Sequence, residues 1–135
     1  MGDWCEAQGL PEPMVEVAVR LARRRVVAPD VAYVAPGPCR DAALATSALD
    51  GPPDLAVEVV SPEDTQPEVR RKVAWYLAAD CPLVWVLDPQ RRTAAVYRPG
   101  AAARQLGERD VLDGEDVLPG FRLPLSALWG TLGPR

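Results

Sequence analysis

The sequence predicts an α/β fold, a sheet of mixed strand direction with one crossover helix. Three observations carry that expectation. Residues 14–21 (MVEVAVRL) alternate apolar and polar with the period of two that marks a half-buried strand. Residues 54–60 (DLAVEVV) and 83–87 (LVWVL) are nearly continuous apolar runs, as in strands covered on both faces. The strongest helix signal in the chain lies between those two runs, so they read as neighbouring strands joined by a helical crossover.

In order, residues 1–13 (MGDWCEAQGLPEP) carry several chain breakers and no period, and read as an irregular lead-in. The strand over 14–21 puts Val15, Val17, Val19 and Leu21 on one side, Glu16, Ala18 and Arg20 on the other. A basic link leads to a second strand over 26–34 (VVAPDVAYV), and the two are expected to pair as a hairpin. Pro29 interrupts the second strand; lacking an N–H, it belongs at an edge, a bulge or a strand start. Residues 40–53 form a connector with one helical turn within 41–49. In the helix, Thr65, Pro67 and Glu68 make a capping box with proline in the first turn. Val69, Val73, Tyr76 and Leu77 supply its apolar stripe. After residues 83–87, a strand over 93–98 follows the Gln90-Arg91-Arg92 turn. Asp113-Gly114 and Pro119-Gly120 turns bound one or two short strands, and a helical turn closes the pattern at 125–129.

Composition narrows the chemistry. The 135 residues suffice for one sizeable core, and their net charge of −4 excludes nucleic-acid binding by bulk charge. A nucleic-acid contact would need a local basic strip, for which Arg70, Arg71, Arg91 and Arg92 are candidates; paired surface arginines are also a common solvated face. With no histidine, Ser-His-Asp and Cys-His catalysis and His-ligated zinc are excluded. Cys5, Cys39 and Cys81 are odd in number and widely spaced, so neither a disulfide framework nor a thiolate cage is indicated. Cys39 and Cys81 read as small buried hydrophobes. Trp75, Trp85 and Trp129 read as core or interface anchors. No apolar run approaches the ~20 residues of a bilayer crossing. The N-terminus lacks the layout of a secretion signal, and a cytoplasmic location is expected.

Fourteen of the 15 basic residues are arginine, leaving Lys72 as the single lysine. Asp30, Glu58 and Lys72 form a candidate constellation. Glu58 sits in the middle of an apolar strand, where an unpaired carboxylate costs several kcal/mol, so it needs a cation or a donor. Lys72 borders the helix stripe and can lean back over the sheet. Two carboxylates beside an amine suit a hard divalent cation such as Mg²⁺, which prefers oxygen ligands. Each residue also has a purely structural alternative: an arginine partner for Glu58, a solvent-reaching Lys72, a turn role for Asp30.

Pro29-Asp30, then Pro53-Asp54-Leu-Ala-Val-Glu58-Val-Val-Ser61-Pro62, then Lys72 with Tyr76 resembles the Uma-type restriction-endonuclease-like proteins of the PD-(D/E)xK nuclease superfamily. The likeness runs on through Leu83-Val-Trp-Val-Leu-Asp88-Pro89, Val96-Tyr97-Arg98 and Leu118-Pro119-Gly120-Phe121, over roughly residues 14–129. It implies a single restriction-endonuclease-like domain over 14–135, with the family's N-terminal helix missing. It implies Asp30 and Glu58 as ligands of Mg²⁺ or Mn²⁺, and a metal-dependent endonuclease acting on DNA. The superfamily lysine usually follows the acid by two residues, where this chain has Val60. The likeness is to the variant in which the lysine has moved to the next helix, and Lys72 fills that role. Asp54 is expected at the start of its strand as a cap or supporting residue. A sheet without its helix would expose an apolar face, so a homodimer is expected. A catalytically silent interaction or nucleic-acid-binding module is the alternative.

Overall fold

The computed structural model describes residues 1–15 and 17–132, with the side chains of 130–132 left aside. The chain runs α1 (Gly2–Ala7), β1 (Ala18–Ala22), β2 (Arg25–Val27), β3 (Val31–Tyr33), α2 (Pro38–Thr46), β4 (Ala48–Asp50), β5 (Leu55–Val59) and α3 (Gln66–Ala78). It continues through β6 (Leu83–Asp88), β7 (Thr93–Tyr97), β8 (Arg104–Leu106), β9 (Val111–Asp113), β10 (Arg122–Pro124) and α4 (Leu125–Leu132). The central sheet has five strands in the order β3-β5-β6-β7-β8. Its β5 and β6 are parallel, with Glu58 opposite Val86, and are connected by α3; its other neighbours are antiparallel. The mixed sheet with a crossover helix is therefore the observed architecture.

Side-chain alternation sends the central sheet's residues into two cores. Leu55, Val57, Trp85 and Leu87 point to one, where Phe121, Leu125 and Trp129 meet them. Ala56, Val84 and Val86 point to the other, beneath Val73 and Tyr76 of α3 and Val19 of β1. A three-stranded sheet, β2-β1-β4, packs on this second side. The near-continuous apolar character of β5 and β6 follows directly, because both of their faces are covered.

The lead-in is not irregular throughout: residues 2–7 form α1, and Trp4 packs edge-on against Phe121 at 5.2 Å between ring centroids. With α1, the β9–β10 pair and α4 over the first core, the chain supplies its own cover for the sheet face. The exposed apolar face that motivated the homodimer expectation is thus absent at this place. The first strand begins later than its alternation suggests. Met14 makes an isolated bridge to Ala32, Val15 is 66% exposed, and regular pairing starts at Ala18. Glu16, assigned to the polar side of that strand, lies outside the described residues.

β1 and β2 form the expected hairpin, with Val19 opposite Val27. Pro29 divides the second predicted strand into two pieces that enter different sheets, β2 and β3. The connector over 40–53 holds more than a helical turn. It contains the nine-residue α2, with Pro38 in its first turn, and then β4. Cys39 is exposed on α2, contrary to expectation, whereas Cys81 is fully buried. Trp85 and Trp129 are buried; Trp75 is only partly so and lies 4.7 Å beneath the Arg25 guanidinium.

The Asp113-Gly114 turn reads as predicted, but the glycine is required by crowding. A Cβ there would strike the Leu118 carbonyl oxygen and come within 2.6 Å of Leu118 Cβ and 2.9 Å of Phe121 Cβ. Gly114→Ala is therefore expected to cost about 1–3 kcal/mol or more by overpacking. A urea midpoint unchanged from the parent would contradict this reading of the turn.

Candidate active site

α3 is held where its capping signal places it: the Thr65 hydroxyl oxygen accepts from the Glu68 N–H at 3.3 Å. Six residues on from Gln66, Lys72 projects over the C-terminal half of β5. Its Nζ lies 3.8 Å from Glu58 Oε2, and its side chain remains 44% exposed. The Tyr76 hydroxyl, one turn along, donates to Glu58 Oε1 at 2.9 Å. Glu58 itself is 8% exposed, the one buried charged residue among those described. Its partners are thus a lysine and a tyrosine, not an arginine.

Asp30 reaches the same region from β3. The antiparallel register pairs Val31 with Val57 and Ala32 with Ala56, so one further step sets Asp30 opposite Glu58 and on its face. Asp30 Oδ2 accepts from the Val59 N–H at 2.7 Å, tying the segment before β3 to the end of β5. Asp54 behaves as a cap at the other end of the strand, accepting from the Ala35 N–H at 2.8 Å.

A cleft with about 30 Å³ of room, enough for a water or a small ion, opens between Glu58, Val59, Val60 and the α3 residues Glu68, Val69 and Lys72. Asp64 also lines it. Its carboxylate accepts from both the Ser61 N–H (2.9 Å) and the Ser61 hydroxyl (3.2 Å), closing the β5–α3 loop. The sequence names Glu68 only as part of the capping box and does not single out Asp64. The Ser61-Pro62-Glu63-Asp64 spacing was the available signal for Asp64, since an acidic side chain three residues after a serine can reach back to the serine N–H.

Burial raises the Glu58 carboxyl above its ordinary range; Lys72 and the Tyr76 hydrogen bond oppose the rise, while Asp30 and Asp64 add to it. The Tyr76 phenol is raised as well, by burial and then by Glu58, so it remains a donor at neutral pH. A carboxyl raised on folding stabilises the protein most below its unfolded value, about 4.5, and loses that contribution as pH rises through the folded value. Without divalent metal, Glu58→Gln is therefore expected to be more resistant to urea than the parent at pH 7. The gap should close as pH falls toward 4.5. A variant less stable at pH 7 would show that the ionised form is well solvated.

The donor set suits a hard divalent ion. Asp30 and Glu58 offer carboxylate oxygens on one face, in a neighbourhood whose acidic groups disfavour one another. A cation would relieve that repulsion. Among the described residues, no three His, Cys, Asp or Glu side chains gather to hold a metal between them. Mg²⁺ commonly takes only one or two protein carboxylates and keeps several waters, so two are compatible with it.

The sequence pattern of the Uma2 family, described as "Putative restriction endonuclease", matches residues 1–126. The chain belongs to the Uma2 family. That match includes the segment over 1–13 as well as the motif-bearing strands. A solved structure from Anabaena variabilis ATCC 29413, described as "a putative nuclease belonging to DUF820", superposes with a TM-score of 0.81. The two are 16% identical over 98% of this chain and 75% of the other, a likeness of fold. No curated protein matches the sequence. Among the described residues, no helix of this Uma2 chain is long and apolar enough to cross a membrane.

Proposed function

We propose that this Uma2 chain is a metal-dependent nuclease that hydrolyses DNA phosphodiester bonds, with Asp30 and Glu58 holding Mg²⁺ or Mn²⁺ and Lys72 assisting the attacking water. The observation that supports it most is the Lys72 ammonium 3.8 Å from Glu58 Oε2, at a cleft beside the C-terminal end of a parallel strand. Ligand sites in open α/β sheets favour such strand ends.

A bound divalent ion supplies positive charge for the phosphoryl oxygens and acidifies a coordinated water. The chain's own groups do the rest. Tyr76 O–H fixes Glu58 Oε1, which leaves Oε2 on the cleft side. Asp30 commits Oδ2 to the Val59 amide, and no described group hydrogen-bonds its Oδ1. Lys72, half-exposed, can reach a substrate oxygen; its ammonium orients the water and stabilises the negative charge that grows as water adds to phosphorus and the bond to a sugar oxygen breaks.

The acidic balance of the chain, a net charge of −4, favours a second reading, a non-catalytic module on the same fold. Supercoiled plasmid separates the two. The active reading expects nicking with Mg²⁺ or Mn²⁺, none in EDTA, and none from an Asp30→Ala, Glu58→Ala double variant. Equal cleavage by the double variant would defeat it, and intact plasmid throughout would favour the silent module.

A further inference from the structure

A second depression adjoins the cleft, and the two share Val60 and Val69. It lies between α3 on one side and β6, β7 and the edge strand β8 on the other. Its room is about 220 Å³, several times that of the cleft. Val69 with the buried Val86 and Ala95 gives it an apolar floor, Tyr97 closes part of the wall, and the polar Thr93 and Gln105 also line it. Two cations stand around it. Arg70 has no ion pair among the described residues, and Arg91 is 72% exposed with a loose 3.9 Å contact to Asp88.

Resting on the reading of the Glu58 cleft as a place that meets a phosphodiester, we propose that this groove seats an unpaired nucleotide of the substrate strand next to the bond to be cut. Arg70 and Arg91 would take the charge of the two phosphates that flank it, and the apolar floor with Tyr97 its base. The chemistry divides the roles. A phosphate has no place on Val86 and Ala95, where its charge would be desolvated without a partner. A base has an apolar face that suits such a floor, and aromatic side chains are the usual platform for unpaired bases. Bases stacked within a duplex cannot offer that face. In a chain of net charge −4, two cations flanking one groove beside an acidic cleft also give the local complementarity that bulk charge does not. The class of substrate implied is single-stranded, frayed or gapped nucleic acid.

The test is binding, measured in EDTA so that cleavage plays no part: fluorescence anisotropy of a labelled oligothymidylate and of a matched duplex, across a salt series. The parent is expected to bind the single strand more tightly. Arg70→Ala with Arg91→Ala should weaken it roughly tenfold and lower the slope of log K against log salt by about 1.4, near 0.7 for each phosphate contact. Arg23→Ala with Arg24→Ala, which removes the same charge from the β1–β2 turn, should leave the affinity close to the parent's. Tyr97→Leu should weaken single-strand binding about fivefold or more and leave the salt slope unchanged. Equal losses from the two arginine pairs, a duplex preference, or no binding by the parent would overturn the proposal. Single-strand binding that depends on the groove in a protein with no metal-dependent cleavage would sink the nuclease reading and leave this one standing.

Discussion

Glu58→Gln is expected to reduce metal-dependent cleavage by at least about a thousandfold. The substitution keeps the shape and the oxygen that accepts from Tyr76, but removes one of the two carboxylate charges assigned to the metal. Loss of a contribution worth several kcal/mol to the transition state corresponds to a factor of that size. Lys72→Ala should cost about 10²–10³, the usual effect of deleting one group that stabilises developing charge. Both variants should stay folded. Lys72 is half-exposed and its contact with Glu58 is loose, while Glu58→Gln removes a buried charge and should resist urea better at neutral pH. Gain of stability with loss of activity is the pattern of a site kept for function. Quantitative cleavage under single-turnover conditions, paired with urea midpoints, checks both halves. Variants that cut at the parental rate would reduce Glu58 and Lys72 to a structural ion pair.

The largest effect on stability is expected on the other side of the sheet. Trp85 is 2% exposed and stacks against Phe121 at 5.8 Å between ring centroids. Truncation to alanine should cost about 3–5 kcal/mol, the range for a buried aromatic whose cavity cannot fully collapse. Trp85→Phe should cost much less, because the indole N–H is buried without a partner among the described residues and its removal abandons no hydrogen bond. Urea denaturation of the two variants measures the difference. Similar midpoints would mean that the face covered by α1, β9–β10 and α4 is less tightly packed than it stands in the structure.

The parts of the fold readable in the sequence are those where one physical signal dominates. β5 and β6 are buried on both faces and declare it by continuous apolar runs; α3 carries its own start signal in Thr65, Pro67 and Glu68. Glu58 stood out because a carboxylate inside such a run demands a partner, and Lys72 because helical spacing aimed it toward the sheet. The three-residue strands β4, β8, β9 and β10 are too short to establish a period, and β4 finds its partner β1 thirty residues back, with Ala48 opposite Ala18. α2 was underestimated because its nine residues bury only Ala43, so it shows no apolar stripe. α1 is a six-residue helix whose position depends on Phe121, over a hundred residues away.

The candidate site shows the same division. Tyr76 was legible as an apolar stripe residue, and its ring is indeed buried, but its hydroxyl contact with Glu58 depends on how α3 lies on the sheet. Asp30 could be named from the Pro-Asp pair, yet its proximity to Glu58 rests on the β3–β5 register, which Pro29 helps to set by ending β2 before β3 begins. Asp64 joins the cleft only because its loop folds back onto Ser61.

The proposed cleavage depends on Asp30 and Glu58 acting together on one divalent ion. Titration of Mn²⁺, with the free ion followed by electron paramagnetic resonance, measures that directly and needs no substrate. The parent should remove about one equivalent of Mn²⁺ saturably at millimolar metal or below, and the Asp30→Ala, Glu58→Ala double variant should remove none. Identical titrations for the two proteins, whether both bind or neither does, would contradict the shared metal centre.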